Sequence, residues 1–147
     1  VERLRRYFPG CALTADMITG FPGETEADQA AAVAFLEQVG FAAVHVFPYS
    51  RRPGTKADAM PEQLSHAVKS ARAHEAQRVA DACKQRYLVQ QVGQTLPVLF
   101  ETEHDGSWVG HSDNYCLVRA AGDDLRGLVK NVKISAVSGQ MLVGDLV

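Results

Sequence analysis

The sequence predicts an α/β segment over residues 1–60, a long linking helix over 61–93 and a small all-β barrel of the OB type over 94–147. Three patterns carry that reading. Apolar runs at residues 13–21 and 41–47 bracket one helical stretch, the strand–helix–strand spacing of a parallel pair with a right-handed crossover. A helical periodicity then runs from about Pro61 to Val92. After it, five short apolar segments alternate with turn residues to the end of the chain, as in a small closed barrel.

Composition sets the class. With 46% hydrophobic and 22% charged residues among 147, the chain has the makeup of a globular protein and not that of a disordered, collagenous or membrane sequence. No apolar run approaches the roughly 18 residues that cross a bilayer, and the first residues, Val1 to Arg6, lack the apolar stretch of a signal peptide. A cytoplasmic location without membrane partners is expected. The chain starts without Met inside a basic, helix-like run, which predicts a piece of a longer polypeptide.

Cys11, Cys83 and Cys116 are odd in number and far apart, which argues against a disulfide framework or a local metal motif and for small buried thiols. The net charge of −2 is unevenly spread. Residues 1–60 hold six basic and seven acidic groups, residues 61–93 five and three, and residues 94–147 four and seven. Only the middle segment is basic.

Residues 1–7 fit the end of a helix. Leu13–Phe21 then reads as a mostly buried strand entering the turn Phe21-Pro22-Gly23-Glu24. Thr25 with Asp28 makes a variant capping box, Ala31, Ala32, Phe35, Leu36 and Val39 form the apolar face, and Gly40 ends the helix. Phe41–Phe47 is the second strand. Parallel strands are apolar on both faces and need neighbours to cover them, so the unit is expected to belong to a larger sheet and, alone, to expose edges and apolar faces that invite self-association.

The linking helix has Leu64, Val68, Ala71, Val79, Ala82, Cys83 and Leu88 as apolar positions, Pro61 in its first turn and Gly93 at its exit. The barrel strands are expected at Thr95–Thr102, Trp108–His111, Tyr115–Ala120, Leu128–Val137 and Met141–Leu146.

Three segments carry candidate chemistry. Asp16-Met17-Ile18-Thr19-Gly20-Phe21-Pro22-Gly23-Glu24-Thr25 puts a glycine turn at the carboxyl end of a parallel strand, where α/β proteins bind ligands. The same residues also suit a plain strand-to-helix turn. His45-Val46-Phe47-Pro48-Tyr49-Ser50-Arg51-Arg52-Pro53-Gly54-Thr55 is a second strand end opening into a basic loop. Its Tyr49 can stack, Ser50 can hydrogen-bond and Arg51 or Arg52 can grip an anion, or the loop is merely solvated. Gly110-His111-Ser112-Asp113-Asn114-Tyr115 can contact a nucleotide strand or form a hairpin turn with a core Tyr.

In this order and spacing, these segments resemble the tRNA methylthiotransferases of the radical-SAM superfamily over essentially the whole chain. Asp16–Thr25 is similar to the family's D-x-I-x-G-F-P-G-E-T segment, Val46–Thr55 to its V-F-x-Y-S-x-R-x-G-T segment, and Thr95–Val147 to its C-terminal TRAM domain. His45, Pro48 and the Gly110–Tyr115 stretch look most like the branch that modifies threonylcarbamoyladenosine beside the anticodon.

The resemblance implies that residues 1–60 end a partial, TIM-like (βα)₆ radical-SAM barrel in a parent with an upstream cluster domain. The implied reaction adds a methylthio group at C2 of the modified adenosine. One [4Fe–4S] cluster cleaves S-adenosyl-L-methionine (SAM) to a 5′-deoxyadenosyl radical, a second takes part in sulfur delivery, and another SAM supplies the methyl group. Neither the C-x-x-x-C-x-x-C motif nor the three upstream cluster cysteines occur here, so this chain ligates no cluster, contains no catalytic residue and is expected to be inactive alone.

Carried over residue by residue, the resemblance implies SAM-side rim positions at Gly20, Phe21, Pro22, Gly23 and Glu24, with Tyr49, Ser50 and Arg51 in a neighbouring rim loop. It implies tRNA contacts from Trp108, His111, Asn114 and Tyr115, with Arg119, Arg126, Lys130 and Lys133 gathering on one face or simply solvated. Four basic against seven acidic groups in the barrel segment conflict with strong tRNA affinity, because phosphate neutralisation dominates such binding. The expected partners are tRNA and the remaining portions of the same polypeptide.

Two other readings compete. One is a non-enzymatic RNA-binding or adaptor module that keeps the barrel tail. The other makes the glycine turn a phosphate site in an unrelated α/β enzyme, but the Lys and Ser/Thr of a Walker A loop and the dinucleotide fingerprint are missing.

Overall fold

A computed structural model describes all residues, Val1–Val147. The chain divides into two compact units. One comprises Val1 with Leu13–Lys84, the other Glu2–Ala12 with Gln85–Val147. No helix is long and apolar enough to cross a membrane.

The first unit is built on β1 (Thr14–Thr19), α2 (Glu26–Val39) and β2 (Ala43–Pro48). β1 and β2 pair in parallel with Thr14 opposite Ala43 and Thr19 opposite Pro48. α2 starts where the sequence says it should: the Thr25 side chain accepts from the Asp28 N–H at 3.1 Å while the Asp28 carboxylate accepts from the Thr25 N–H at 2.9 Å. The Thr25 hydroxyl, which also donates to Asp28 Oδ2 at 2.7 Å, and after it the Thr25 N–H hold the Asp28 carboxyl below its ordinary pKa. Gly40 ends α2 in the left-handed region at φ 61°.

Only one face of β1 is covered. Ala15, Met17 and Thr19 turn inward, whereas Ile18 is 56% exposed, so the expectation of a mostly buried strand does not hold in this structure. The core consists of Leu36, Val39, Phe41, Val44, Ala76 and Ala80, with Leu13, Ala15, Met17, Val33, Val46 and Val79 packed around it. Phe35, expected on the apolar face of α2, is 54% exposed.

A short 3₁₀ turn (Ala57–Ala59) precedes α3 (His66–Gln90). The helix therefore starts later than Pro61, because Glu62 lies in the left-handed region at φ 58° and breaks the run. Ser65 caps it, its hydroxyl accepting from the Val68 N–H at 3.3 Å. Twenty-five residues of helix span about 37 Å. Its buried stripe is Arg72, Ala76, Ala80, Cys83 and Tyr87, at the spacing of one helical face. Val68 and Ala71, expected on that face, point outward.

The second unit contains α1 (Glu2–Tyr7), the end of α3 and the strands β3 (Thr95–His104), β4 (Ser107–Ser112), β5 (Leu117–Ala120), β6 (Val129–Ser138) and β7 (Met141–Leu146). The strands close into a barrel in the order β3-β4-β5-β7-β6. All contacts are antiparallel except the parallel β5–β7 seam that completes it. Val98, Phe100, Val118, Val132, Ile134 and Leu142 fill the interior, none more than 1% exposed. Bulges interrupt β3 at Phe100–Thr102 and β6 at Ile134–Ala136, giving the strand curvature that closure needs. Opposite the first bulge only glycine fits: a Cβ on Gly110 would lie 2.0 Å from the Leu99 carbonyl oxygen.

Candidate functional site

The glycine turn at the end of β1 is held by a web of charged bonds. Gly20 sits in the left-handed region at φ 70°, and its N–H donates to both carboxylate oxygens of Glu24, at 3.0 and 2.9 Å. The Arg72 guanidinium, on α3, donates to Glu24 Oε1 at 2.6 Å, to the Glu24 carbonyl at 2.9 Å and to Glu26 Oε1 at 2.6 Å. Glu26 first and Glu24 after it hold Arg72 above its ordinary pKa, against the opposing effect of burial. Gln29 extends the web to the Arg72 carbonyl and the Glu75 carboxylate. Glu24, expected at a cofactor rim, thus spends its carboxylate on the turn itself. These bonds brace the backbone of the turn, within which Pro22 is buried.

The loop after β2 lies beside the turn. The Tyr49 N–H donates to the Thr19 carbonyl at 2.8 Å, the Phe21 and Tyr49 rings meet edge-on at 5.2 Å, and the Lys69 ammonium stands 4.9 Å over the Tyr49 ring. A Cβ on Gly20 would lie 2.6 Å from Lys69 Cγ, so α3 presses on both loops. Arg51 bonds Asp58, Nε to Oδ1 at 2.7 Å and Nη2 to its carbonyl at 2.9 Å. It closes its own loop in this structure instead of presenting a free anion grip. Ser50 is exposed.

Two polar atoms at this rim are buried without a partner: the Thr19 hydroxyl, on the last residue of β1, and the Tyr49 hydroxyl just beyond β2. Buried polar groups are normally satisfied, so these two are exceptions within the rim. Cys83 and Cys116 are buried and Cys11 half-buried, and no group of three His, Cys, Asp or Glu side chains is placed to hold a metal ion.

On the barrel, a groove of about 640 Å³ is lined by Pro97, Leu99, Glu101, His111, Ser112, Asp113, Tyr115 and Val129. Strand register places Val129 opposite Leu99 and Leu99 opposite His111, so these residues share the outer face. His111 Nδ1 lies 2.6 Å from Glu101 Oε2. Tyr115 is 86% exposed and lies in the left-handed region at φ 59°, which removes the alternative of a core Tyr. Its conformation is fixed from beneath. The Ser112 hydroxyl donates to Asn114 Oδ1 at 2.6 Å, and Asn114 Nδ2 donates to the Tyr87 hydroxyl and Gln91 Oε1, both at 3.1 Å. Asn114, expected to touch RNA, therefore supports the loop with both ends of its amide.

Trp108, expected to contact RNA, is buried in this structure. At 5% exposure it points into the barrel and has no ring face to offer a base. Arg119 is half-buried, and Arg126 and Lys130 are exposed. Lys133 donates to the Gly93 carbonyl at 2.6 Å. None of these four lines the groove, and Lys130 and Lys133, an odd number of positions apart on β6, have opposite parity. Arg72 and Tyr87, which organise the two sites, were missed because both lie on a helix of weak periodicity, far in sequence from what they hold.

Protein-family models give no match to the chain. Curated relatives do. The threonylcarbamoyladenosine tRNA methylthiotransferase MtaB of Bacillus subtilis is 36% identical over 140 residues, covering 91% of this chain and 31% of the relative. The tRNA-2-methylthio-N(6)-dimethylallyladenosine synthase of Maricaulis maris is 40% identical over 149 residues, covering 99% of this chain and 33% of the relative. The protein of that same description from Nitratidesulfovibrio vulgaris is 36% identical over 154 residues, covering 99% and 34%. The chain spans about a third of the length of the curated relatives it matches.

Proposed function

We propose that this chain, which belongs to the tRNA methylthiotransferase family, is the C-terminal part of an enzyme that adds a methylthio group to C2 of N6-threonylcarbamoyladenosine next to the anticodon. The observation that carries the reading is similarity along nearly the whole chain to transferases of this one activity type. In it, residues 1–60 are the end of a TIM-like radical-SAM barrel, residues 61–93, which hold α3, the linking segment, and residues 94–147 a TRAM domain of OB-like form.

Each unit then has a task. In the first, Arg72 and Glu24 hold the Gly20–Gly23 backbone, the rim segment on the SAM side. When bound to the parent, SAM and two [4Fe–4S] clusters ligated elsewhere supply the radical, sulfur and methyl chemistry. This chain adds rim and positioning, without a catalytic residue, and is inactive alone. In the second unit, the Tyr115 face gives an unstacked base of tRNA an aromatic platform, a contact that tolerates any base because each has a π face.

The choice of nucleoside rests on His45, Pro48 and the Gly110–Tyr115 loop, because identities of 36% and 40% to the two kinds of relative do not rank the substrates. Mass spectrometry of tRNA nucleosides from cells with and without the gene tests it. The 2-methylthio-N6-threonylcarbamoyladenosine peak should vanish on disruption and the dimethylallyl counterpart remain. The opposite pattern assigns the other substrate. Persistence of both leaves the adaptor reading.

A further inference from the structure

We propose that the short basic helix α1 and the barrel groove form one RNA-binding surface, α1 holding phosphates next to the bases that the groove receives. This rests on the tRNA reading above and goes beyond it by placing the main phosphate contacts outside the barrel.

The groove alone is ill suited to a polyanion. Its lining is apolar or aromatic at Pro97, Leu99, Tyr115 and Val129 and acidic at Glu101 and Asp113, and none of the barrel's four basic residues reaches it. RNA affinity without cations is weak, since phosphate contacts supply most of the non-specific binding.

The missing charge lies on α1. That helix belongs to the same compact unit as the barrel. With the end of α3, its segment adds four arginines and one glutamate to the strands, bringing the unit to eight basic against eight acidic groups. Arg3, Arg5 and Arg6 are all exposed. Arg3, Arg6 and Tyr7 stand at the three- and four-residue spacing of one helical face. The Arg6 guanidinium lies 6.0 Å over the Tyr7 ring, which is itself 65% exposed. Neither Arg3 nor Arg6 is engaged in an ion pair. The face combines cation and ring, the pairing that grips a nucleotide strand.

One hydroxyl fastens this segment to the groove. Tyr87 donates to the carbonyl of Gly10, just beyond α1, at 3.0 Å and accepts from Asn114 Nδ2 at 3.1 Å. Asn114 is the direct neighbour of Tyr115. The position of α1 and the conformation of the groove loop are thus set by the same buried group.

The test is fluorescence anisotropy of a labelled anticodon stem-loop RNA with the full chain across a KCl series. Each phosphate deprived of its cation lowers the slope of log affinity against log salt by about 0.7–0.9. Arg3→Gln/Arg6→Gln should therefore lower the slope by about 1.4–1.8 and the affinity at 0.2 M KCl by roughly tenfold or more. Arg3→Lys/Arg6→Lys should keep the wild-type slope, and Tyr115→Ala should weaken binding with the slope unchanged. A glutamine variant with the wild-type slope overturns the proposal. So does an equal drop in the lysine variant, which would mark a structural role. Failure of the wild-type chain to bind the stem-loop at low salt would remove the tRNA reading itself.

Discussion

Replacing Arg72 with methionine should release the glycine turn at the end of β1. The Arg72 side chain is 7% exposed and its partner Glu24 15%, so the substitution leaves a nearly buried carboxylate without its cation and the Glu24 carbonyl without its donor. Removing one member of such a pair costs about 3–5 kcal/mol. Because Glu24 keeps its two bonds from the Gly20 N–H, the low end, about 3 kcal/mol, is expected. The Glu26 arm adds little: that carboxylate is 88% exposed, and pairs at the surface contribute about 0.2–1 kcal/mol. With a urea slope of about 1 kcal/mol/M for a unit this small, the transition followed by circular dichroism should move down by about 3 M. Trp108, the sole tryptophan and buried in the barrel, serves as internal comparison, and its fluorescence transition should move less. Arg72→Lys keeps the charge but loses the fork and should fall between. Combining Arg72→Met with Glu24→Gln should recover part of the stability, with a coupling of about 1–3 kcal/mol. A midpoint shift below about 0.5 M, or additive single effects, would refute the clamp.

Gly20→Ala should cost about 1–2 kcal/mol, since alanine resists the left-handed backbone, and should displace Lys69 from the Tyr49 ring, visible as a shift of the Tyr49 ring signals in an NMR spectrum. Burial first, with the charges of neighbouring acidic groups, raises the pKa of Tyr87 to about 12. The fold thus favours the neutral phenol, so its stability holds below pH 10 and declines as pH climbs from 10 toward 12. An ultraviolet titration should show one phenol ionising near 12, and Tyr87→Phe should abolish that step. Tyr115→Ala should leave the urea midpoint of the barrel nearly unchanged, because the ring is 86% exposed, while weakening RNA binding by about 1–3 kcal/mol. Equal decreases in stability and affinity would mark Tyr115 as a packing residue instead.

Strong local signals in the sequence were readable and distant partnerships were not. Thr25 and Asp28 announce the start of α2 because a capping box is written within four residues. The alternation of apolar residues from Thr95 onward locates the five strands to within a few positions, since the pleat repeats every second residue. The buried stripe of α3 escaped notice because Arg72, Ala76 and Ala80 carry little hydrophobic signal. The roles of Glu24 and Asn114 were hidden for a related reason: each bonds to a helix residue tens of positions away, and a carboxylate bound to an arginine reads the same in sequence as one bound to a ligand. Trp108 looked like a stacking group because an aromatic residue near a turn suits both a surface and a core, and only the strand register decides between them.

Photocrosslinking with mass spectrometry gives the most direct test of the proposed tRNA contact. The full chain would be irradiated with an anticodon stem-loop carrying 4-thiouridine in its loop and arms, and the linked peptides identified. Crosslinks should concentrate on peptides containing Tyr115 and His111 and on the α1 segment around Arg3, Arg6 and Tyr7. Crosslinks confined to the first unit, or none above an unrelated RNA, would contradict the assignment of the barrel and α1 as the tRNA-binding part of a methylthiotransferase.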